Sequence, residues 1–223
     1  MKNDIKHNEI LKIVKNKLTC SAHNLDHVMR VYNVCLMIAE YEDNVDLDIL
    51  IPAALLHDIA RVEESEDNTG VIDHAVLGSE IAGGILTDLG YDEEMVGKIK
   101  HCISSHRFRT GNEPQTIEAR ILFDSDKLDS IGAVGIARTF MLGGQCGQSL
   151  ESNNSISDYL CENTAENGRI KDMSKHNPII EYEVKLKNIP DKLYTKKAKE
   201  IGAERIEFMD TFFNRLKNEL ECR

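Results

Sequence analysis

Apolar residues recur along this chain at three- and four-residue spacing almost from end to end. That is the period of helices with one buried face. In the N-terminal stretch MKNDIKHNEILKIVKNKL, Ile10, Leu11, Val14 and Leu18 share a face. A second helix is predicted in NLDHVMRVYNVCLMIAEYE from Leu25, Val28, Val31, Val34, Leu36 and Ile38, with Asn24 as its N-cap. The third, DLDILIPAALLHDIAR, begins at Asp46 or Asp48. Pro52 then falls in the first turn or just past it, where proline is better tolerated. The acidic segment VEESEDNTGVI, with Asn68 and Gly70, reads as a loop. DHAVLGSEIAGGILTDLG starts at the cap Asp73 and stops at Gly90. DEEMVGKIKHCISSHRF follows, and RTGNEPQ breaks it with Gly111 and Pro114. TIEARILFDSDKLDS is capped by Thr116, and IGAVGIARTFM continues as a helix of small residues. The last helix runs from Thr195 to Leu220, with Ala198, Ile201, Ile206, Met209, Phe212, Phe213 and Leu216 as its apolar positions. Roughly eight helices, with no strand and no repeat, predict an all-α, bundle-like fold.

After Met141 the texture changes. LGGQCGQSLESNNSISDYLCENTAENGR is polar and rich in Gly, Ser and Asn. So long a stretch of weak periodicity is uncommon in a compact domain and often functional. The segment 143–169 is a candidate lid. Gly143, Gly144 and Gly147 resemble a phosphate loop only superficially, because no Lys-Ser/Thr follows.

Composition narrows the function classes. The 223 residues are 41% hydrophobic and 29% charged, ordinary values for a globular protein. A net charge of -11 argues against binding duplex nucleic acid through bulk electrostatics. No run approaches the roughly 18 apolar residues of a membrane span, and the N-terminal stretch lacks a signal peptide's apolar segment. Six cysteines, at 20, 35, 102, 146, 161 and 222, form no Cys-x-x-Cys pair. This points to reduced thiols in a cytoplasmic protein, with Cys35 and Cys102 as core residues.

ALLHDIAR, residues 54 to 61, breaks its own pattern. His57 and Asp58 sit at the edge of an apolar run, and a buried, unpaired carboxylate costs several kcal/mol. A metal or a firm hydrogen-bond network would remove that cost. His27, His74, His106 and Asp126 each lie near the end of another predicted helix. Imidazole and carboxylate are the ligand set of first-row divalent metals, and a bundle builds such sites from facing helices. His7, His23, His101 and His176 read as caps or solvated side chains.

The order His27, then His57-Asp58, then Asp126 resembles the HD-domain superfamily of metal-dependent phosphohydrolases. Its signature is a distant His, an adjacent His-Asp and a later Asp. The context agrees: DHVMRV, LLHDIAR, DHA, ISSHRF and DSDKLDSIGAVGIAR. The similarity is closest to the small stand-alone bacterial and archaeal branch, and it covers roughly residues 20 to 140. It implies one HD-type domain over 1–223, with the metal-site core in that range and a helical extension from 141 to 223. Two departures stand out. HNLDH carries Asn24 where the branch often has Asp, and DSDK carries Lys127 where it often has Arg.

The resemblance implies His27, His57, Asp58 and Asp126 as ligands of one divalent metal. Manganese is the first choice, with iron, cobalt, nickel, zinc and magnesium as alternatives. Asp58, His74 and His106 are the candidate catalytic residues. His74 and His106 would contact phosphate oxygens or protonate the leaving group, or else hold a second metal. Arg30, Arg61 and Lys127 would join them in binding substrate, and Arg107 also lies beside a motif. Glu63 and Glu64 either orient an attacking water or belong to a solvated acidic loop. Asp129 either supports the ligand shell or caps the next helix. The expected substrate is a small phosphate ester, foremost a nucleotide, with a homodimer left open. Two other functions are weighed: a di-iron oxygenase and a non-catalytic module that binds metal and nucleotide.

Overall fold

A computed structural model of the chain describes residues 2–18, 25–67, 69–107, 111–150, 155–165 and 170–222. Asn24, His23, Cys20 and Asn68, with parts of the expected lid at 151–154 and 166–169, lie outside the described residues. Eleven α-helices and three short 3-10 turns occur among the described residues, with no strand. The fold is all-α.

The chain divides into two compact units. The first comprises Met1–Lys127 and Leu193–Ala198, and the second Leu128–Lys192 and Lys199–Arg223.

In the first unit, helices α1 (Lys2–Lys17), α2 (Leu25–Ala39) and α6 (Glu93–Ser105) pack on α3 (Leu47–Leu56), and α5 (His74–Asp88) packs along α6. Helix α3 is apolar on all sides, with Ile49, Leu50, Pro52, Ala53, Ala54, Leu55 and Leu56 buried. Such a helix belongs in the centre. Fully burying Leu50 and Leu56 contributes about 1.5–3 kcal/mol each. Asp46 caps α3 by accepting from the Asp48 N–H at 2.9 Å, and Pro52 is therefore the sixth helical residue. Asp73 and Asp92 cap α5 and α6 in the same way, and Thr116 caps α7 (Ile117–Asp129).

The third predicted helix does not run through Arg61. Helix α3 ends at Leu56, residues 57–60 form a turn, and a six-residue helix α4 (Arg61–Glu66) occupies the expected loop. The switch is made by tighter hydrogen bonds, Ile59 N–H to Leu56 O at 3.0 Å and Arg61 N–H to Asp58 O at 2.9 Å. Asp124, fully buried on α7, ties down the start of α11 (Lys196–Leu220). It accepts from the Tyr194 N–H at 2.9 Å and from the Thr195 N–H and hydroxyl at 2.7 Å each.

The second unit holds α8 (Gly132–Gln145), α9 (Ile156–Asn163), α10 (Pro178–Val184) and most of α11. Asp129 pairs with Arg138 here, and α8 has no side-chain cap. Gly132 takes φ +76°, and a Cβ there would meet the Arg205 side chain at 2.9 Å, so glycine is required on both counts. His176 is buried, not the cap or solvated side chain that the sequence suggests. Its Nε2–H donates to Glu181 at 2.9 Å and its Nδ1 accepts from the Tyr159 hydroxyl at 2.7 Å.

Burial pushes the Glu181 carboxyl up, but Lys185 and His176 outweigh it and bring it down to about 2 from an ordinary 4.5. A depressed carboxyl stabilises the fold above its unfolded value and loses that contribution as pH falls. Glu181 therefore contributes about 2–3 kcal/mol above pH 4.5 that disappears toward pH 2. Urea titrations between pH 2.5 and 7 are expected to show a shallower acid slope for Glu181→Gln than for the wild type. Identical slopes would remove this role.

Candidate metal centre

The centre lies within the first unit. Helix α3 needs donors for its last carbonyls, since a helix end leaves four of them unpaired. His57, its C-cap, supplies one: Nδ1–H donates to Ala54 O at 2.8 Å. His106, the C-cap of α6, repeats the device on Ile103 O at 2.5 Å. A carbonyl only accepts, so Nδ1 carries the hydrogen in both rings and Nε2 is left with its lone pair. Burial pushes both imidazoles below their ordinary 6.5, most strongly His106, so they stay neutral. The first residue of α5, His74, places Nδ1 at 2.9 Å from Glu64 Oε2. Its Nε2 also faces inward.

These lone pairs converge on Asp58. His57 Nε2 lies 3.3 Å from His27 Nε2, and His74 Nε2 lies 3.2 Å from His106 Nε2. Asp58 divides its carboxylate between them. Oδ2 is 3.4 Å from His27 and 3.8 Å from His57, while Oδ1 is 3.4 Å from His74 and 3.9 Å from His106. Two sets, His27–His57–Asp58 and Asp58–His74–His106, each have all ligand atoms within 4.8 Å of one another. Asp126 Oδ1 is 3.4 Å from His27 Nε2, and its other oxygen takes Lys127 Nζ at 2.6 Å.

Asp58 is 2% exposed, and its Oδ2 has no hydrogen-bond partner. Burial raises the carboxyls of Asp58 and Asp126, but neighbouring cations, Arg61 and Lys127 first, hold both well below the usual range. The interior thus presents neutral imidazole lone pairs and ionised carboxylates with an orphaned oxygen. That donor set fits a divalent cation.

The cationic rim is tied to the same residues. Arg61 Nε is 3.6 Å from Asp58 Oδ1, and its Nη1 donates to Glu64 at 2.5 Å. Arg107 Nη1 donates to Glu64 Oε1 at 2.5 Å and to Asp73 at 3.0 Å. Arg30, one turn beyond His27 on α2, is half-buried.

The HD domain model matches residues 24–131. YpgQ of Bacillus subtilis is 31% identical over 204 residues, which span 90% of this chain and 85% of YpgQ. The chain belongs to the HD-domain family. The crystal structure of B. subtilis YpgQ in complex with ADP matches it with a TM-score of 0.74 at 27% identity, covering 98% of this chain and 97% of that one. A predicted HD superfamily hydrolase from an uncultured Thermotogales bacterium matches with a TM-score of 0.63 at 30% identity, over 96% and 92%. Family membership places the chain among HD-superfamily hydrolases; HD domains bind divalent metals, and this His/Asp cluster could hold one.

His27, His57, Asp58, His74 and His106 come together, with Asp126 at the edge through His27 and Lys127 behind it. Arg61 joins through Asp58. Glu64 lies inside this network, whereas Glu63 faces outward to Lys17 at 3.3 Å. Asp73 is more than a cap, since its second oxygen holds Arg107. An acidic run is a poor signal for such a role, because its neighbours Ser65 and Glu66 are exposed. Cys35 and Cys102 are buried, and burial pushes both thiols up to about 12, which makes them inert. No helix among the described residues is long and apolar enough to cross a membrane.

Proposed function

We propose that this protein is a metal-dependent phosphohydrolase acting on a nucleotide or a related small phosphate ester. The observation that carries the reading is the convergence of the inward Nε2 atoms of His57, His74 and His106 on the two oxygens of Asp58. In this reading His27, His57, Asp58 and Asp126 hold a divalent cation, manganese foremost. When bound, such a cation supplies Lewis acidity, lowering the pKa of a water and screening phosphate charge. ADP bound to YpgQ supports a nucleotide as the ligand class.

The chain's own residues supply the rest. Arg61 and Lys127 leave positive charge at the rim, where a phosphate oxygen would be held, and Arg30 extends it along α2. The paired carboxylates keep both cations in place before substrate arrives. His106 stays neutral near pH 7, because burial depresses its pKa, and its one hydrogen is engaged on Nδ1 with Ile103 O. It therefore acts as a ligand or a hydrogen-bond acceptor and not as a general acid. We assign His74 and His106, with Asp58 Oδ1, to a second donor set.

That second set also favours an alternative, a di-iron oxygenase, which needs both histidines as ligands. One experiment separates the two. The purified protein, stripped and reloaded with Mn, Co, Ni, Fe, Mg or Zn, is screened for phosphate and pyrophosphate release from nucleotides and sugar phosphates, with oxygen consumption followed in parallel. Phosphate or pyrophosphate release is expected, with Mn among the most active metals. Oxygen uptake with iron and no release from any substrate would overturn the reading.

A further inference from the structure

Glu64 touches three of the site's segments at once. Its Oε2 meets His74 Nδ1 at 2.9 Å and Arg61 Nη1 at 2.5 Å. Its Oε1 meets Arg107 Nη1 at 2.5 Å. Thus one carboxylate on the short helix α4 links the His-Asp turn, the start of α5 and the end of α6. It is 16% exposed, too enclosed for the solvated acidic face that its sequence context suggests.

A contest between two donors fixes the chemistry. Arg61 Nη1 also lies 3.0 Å from His74 Nδ1. If His74 Nδ1 accepted from Arg61, its Nε2 would carry the hydrogen, and Nδ1 would face the Glu64 carboxylate lone pair to lone pair at 2.9 Å. A guanidinium has no acceptor and a carboxylate has no donor. Having both Arg61 and His74 Nδ1–H donate to Glu64 satisfies the outer side of the ring and leaves Nε2 as one lone pair among others, an inward arrangement that suits a bound cation. His74 Nε2 then keeps its lone pair, 3.4 Å from Asp58 Oδ1 and 3.2 Å from His106 Nε2.

We propose that Glu64 is a positioning residue: it locks His74 in the Nδ1–H tautomer, so that Nε2 serves the Asp58–His74–His106 set, and holds Arg61 and Arg107 as a paired anion-binding edge. Carboxylates that orient a ligating imidazole are typically worth 10–100-fold in metal affinity or activity. The inference rests on the metal reading above for its consequences, but the tautomer itself does not.

The test uses three full-length variants and two readouts. Glu64→Gln keeps an oxygen acceptor but turns an N–H donor toward one of its partners. Glu64→Met keeps the volume and removes all acceptors. Glu63→Gln, on the outward side, is the control. The first readout is the long-range 1H–15N imidazole spectrum of the metal-free protein at pH 8. The second is Mn uptake by calorimetry, with kcat and KM for whichever substrate the screen identifies. Wild type, Glu63→Gln and Glu64→Gln are expected to keep His74 hydrogen on Nδ1, and Glu64→Met to lose that preference. Mn affinity is expected to fall roughly 10–100-fold in Glu64→Met, and less in Glu64→Gln. KM is expected to rise in both, because the arginine pair loses a shared acceptor. A wild-type His74 protonated on Nε2, or a Glu64→Met protein with unchanged tautomer and Mn affinity, would overturn the proposal. Should the wild type hydrolyse nothing, the phosphohydrolase reading falls, and the metal-free spectrum still decides the role of Glu64.

Discussion

Asp58→Asn is expected to remove metal uptake and phosphoester hydrolysis together while leaving the helical content unchanged. Asp58 is the one residue common to both donor sets, with Oδ2 directed at His27 and His57 and Oδ1 at His74 and His106. An amide in its place presents an N–H group to imidazoles whose lone pairs already face inward. Losing a Lewis acid worth several kcal/mol lowers the rate by roughly 10³-fold or more. The thermal readout is independent of turnover. A ligand present at about 100 times its Kd stabilises the folded state by about 2.7 kcal/mol, which for a chain of this size raises Tm by roughly 5–10 °C. The wild type is expected to show that rise on adding Mn, and the variant none. Arg61 keeps Glu64 as a partner in the variant, so the metal-free protein is not expected to collapse. An Asp58→Asn protein that still gains Tm with Mn and still turns over would place the metal elsewhere.

How much of this was legible before the structure depends on how local each signal is. The starts at Asp46 and Asp73 were readable because a capping side chain and its N–H partners lie within three residues. The central place of α3 followed from its uninterrupted apolar run. Its exit was not readable: ALLHDIAR reads as one helix, and only the buried His57 bond to Ala54 and the tight turn after it show why the helix stops. Helix α4 was hidden because RVEESE has a single apolar residue and so no period. Helix α10 was missed although Asn177 and Pro178 are sound start signals, because seven residues give too few turns to register.

The histidines show a different limit. Reading a helix-end imidazole as either a cap or a ligand assumes that the two exclude each other. His57 and His106 do both, one nitrogen for the carbonyl three residues back and the other for the site. The cap sets the tautomer that ligation requires. Asn24, where the sequence departs from the family pattern, lies outside the described residues. Lys127, the other departure, holds Asp126 as a single-point cation. Glu64 could be singled out from sequence only together with Glu63, because what separates the two exists only once α4, α5 and the end of α6 meet.

The motif DSDK contains two aspartates that are expected to fail in opposite ways. Asp124 and Asp126 are two residues apart, about 200° around a helix of 3.6 residues per turn, so they face different surroundings. Asp124 is fully buried and satisfies three donors at the start of α11. Asp126 faces His27 and Lys127 and satisfies no backbone group among the bonds described. Asp124→Ala leaves three donors without an acceptor in a buried place, a loss of about 3–5 kcal/mol and roughly 10 °C in Tm. Mn uptake per folded molecule is expected to survive. Asp126→Ala removes the proposed ligand and a single ion pair with Lys127, and no backbone partner among the bonds described, so the metal-free protein is expected to stay within about 1 kcal/mol of the wild type. Its Mn affinity and hydrolysis are expected to fall at least 10²-fold, the scale of losing a direct electrostatic stabiliser. Urea denaturation and Mn calorimetry on both variants give the four numbers needed. A stable Asp124→Ala that binds no Mn, beside an unstable Asp126→Ala that binds it normally, would mean that the two carboxylates have been assigned the wrong way round.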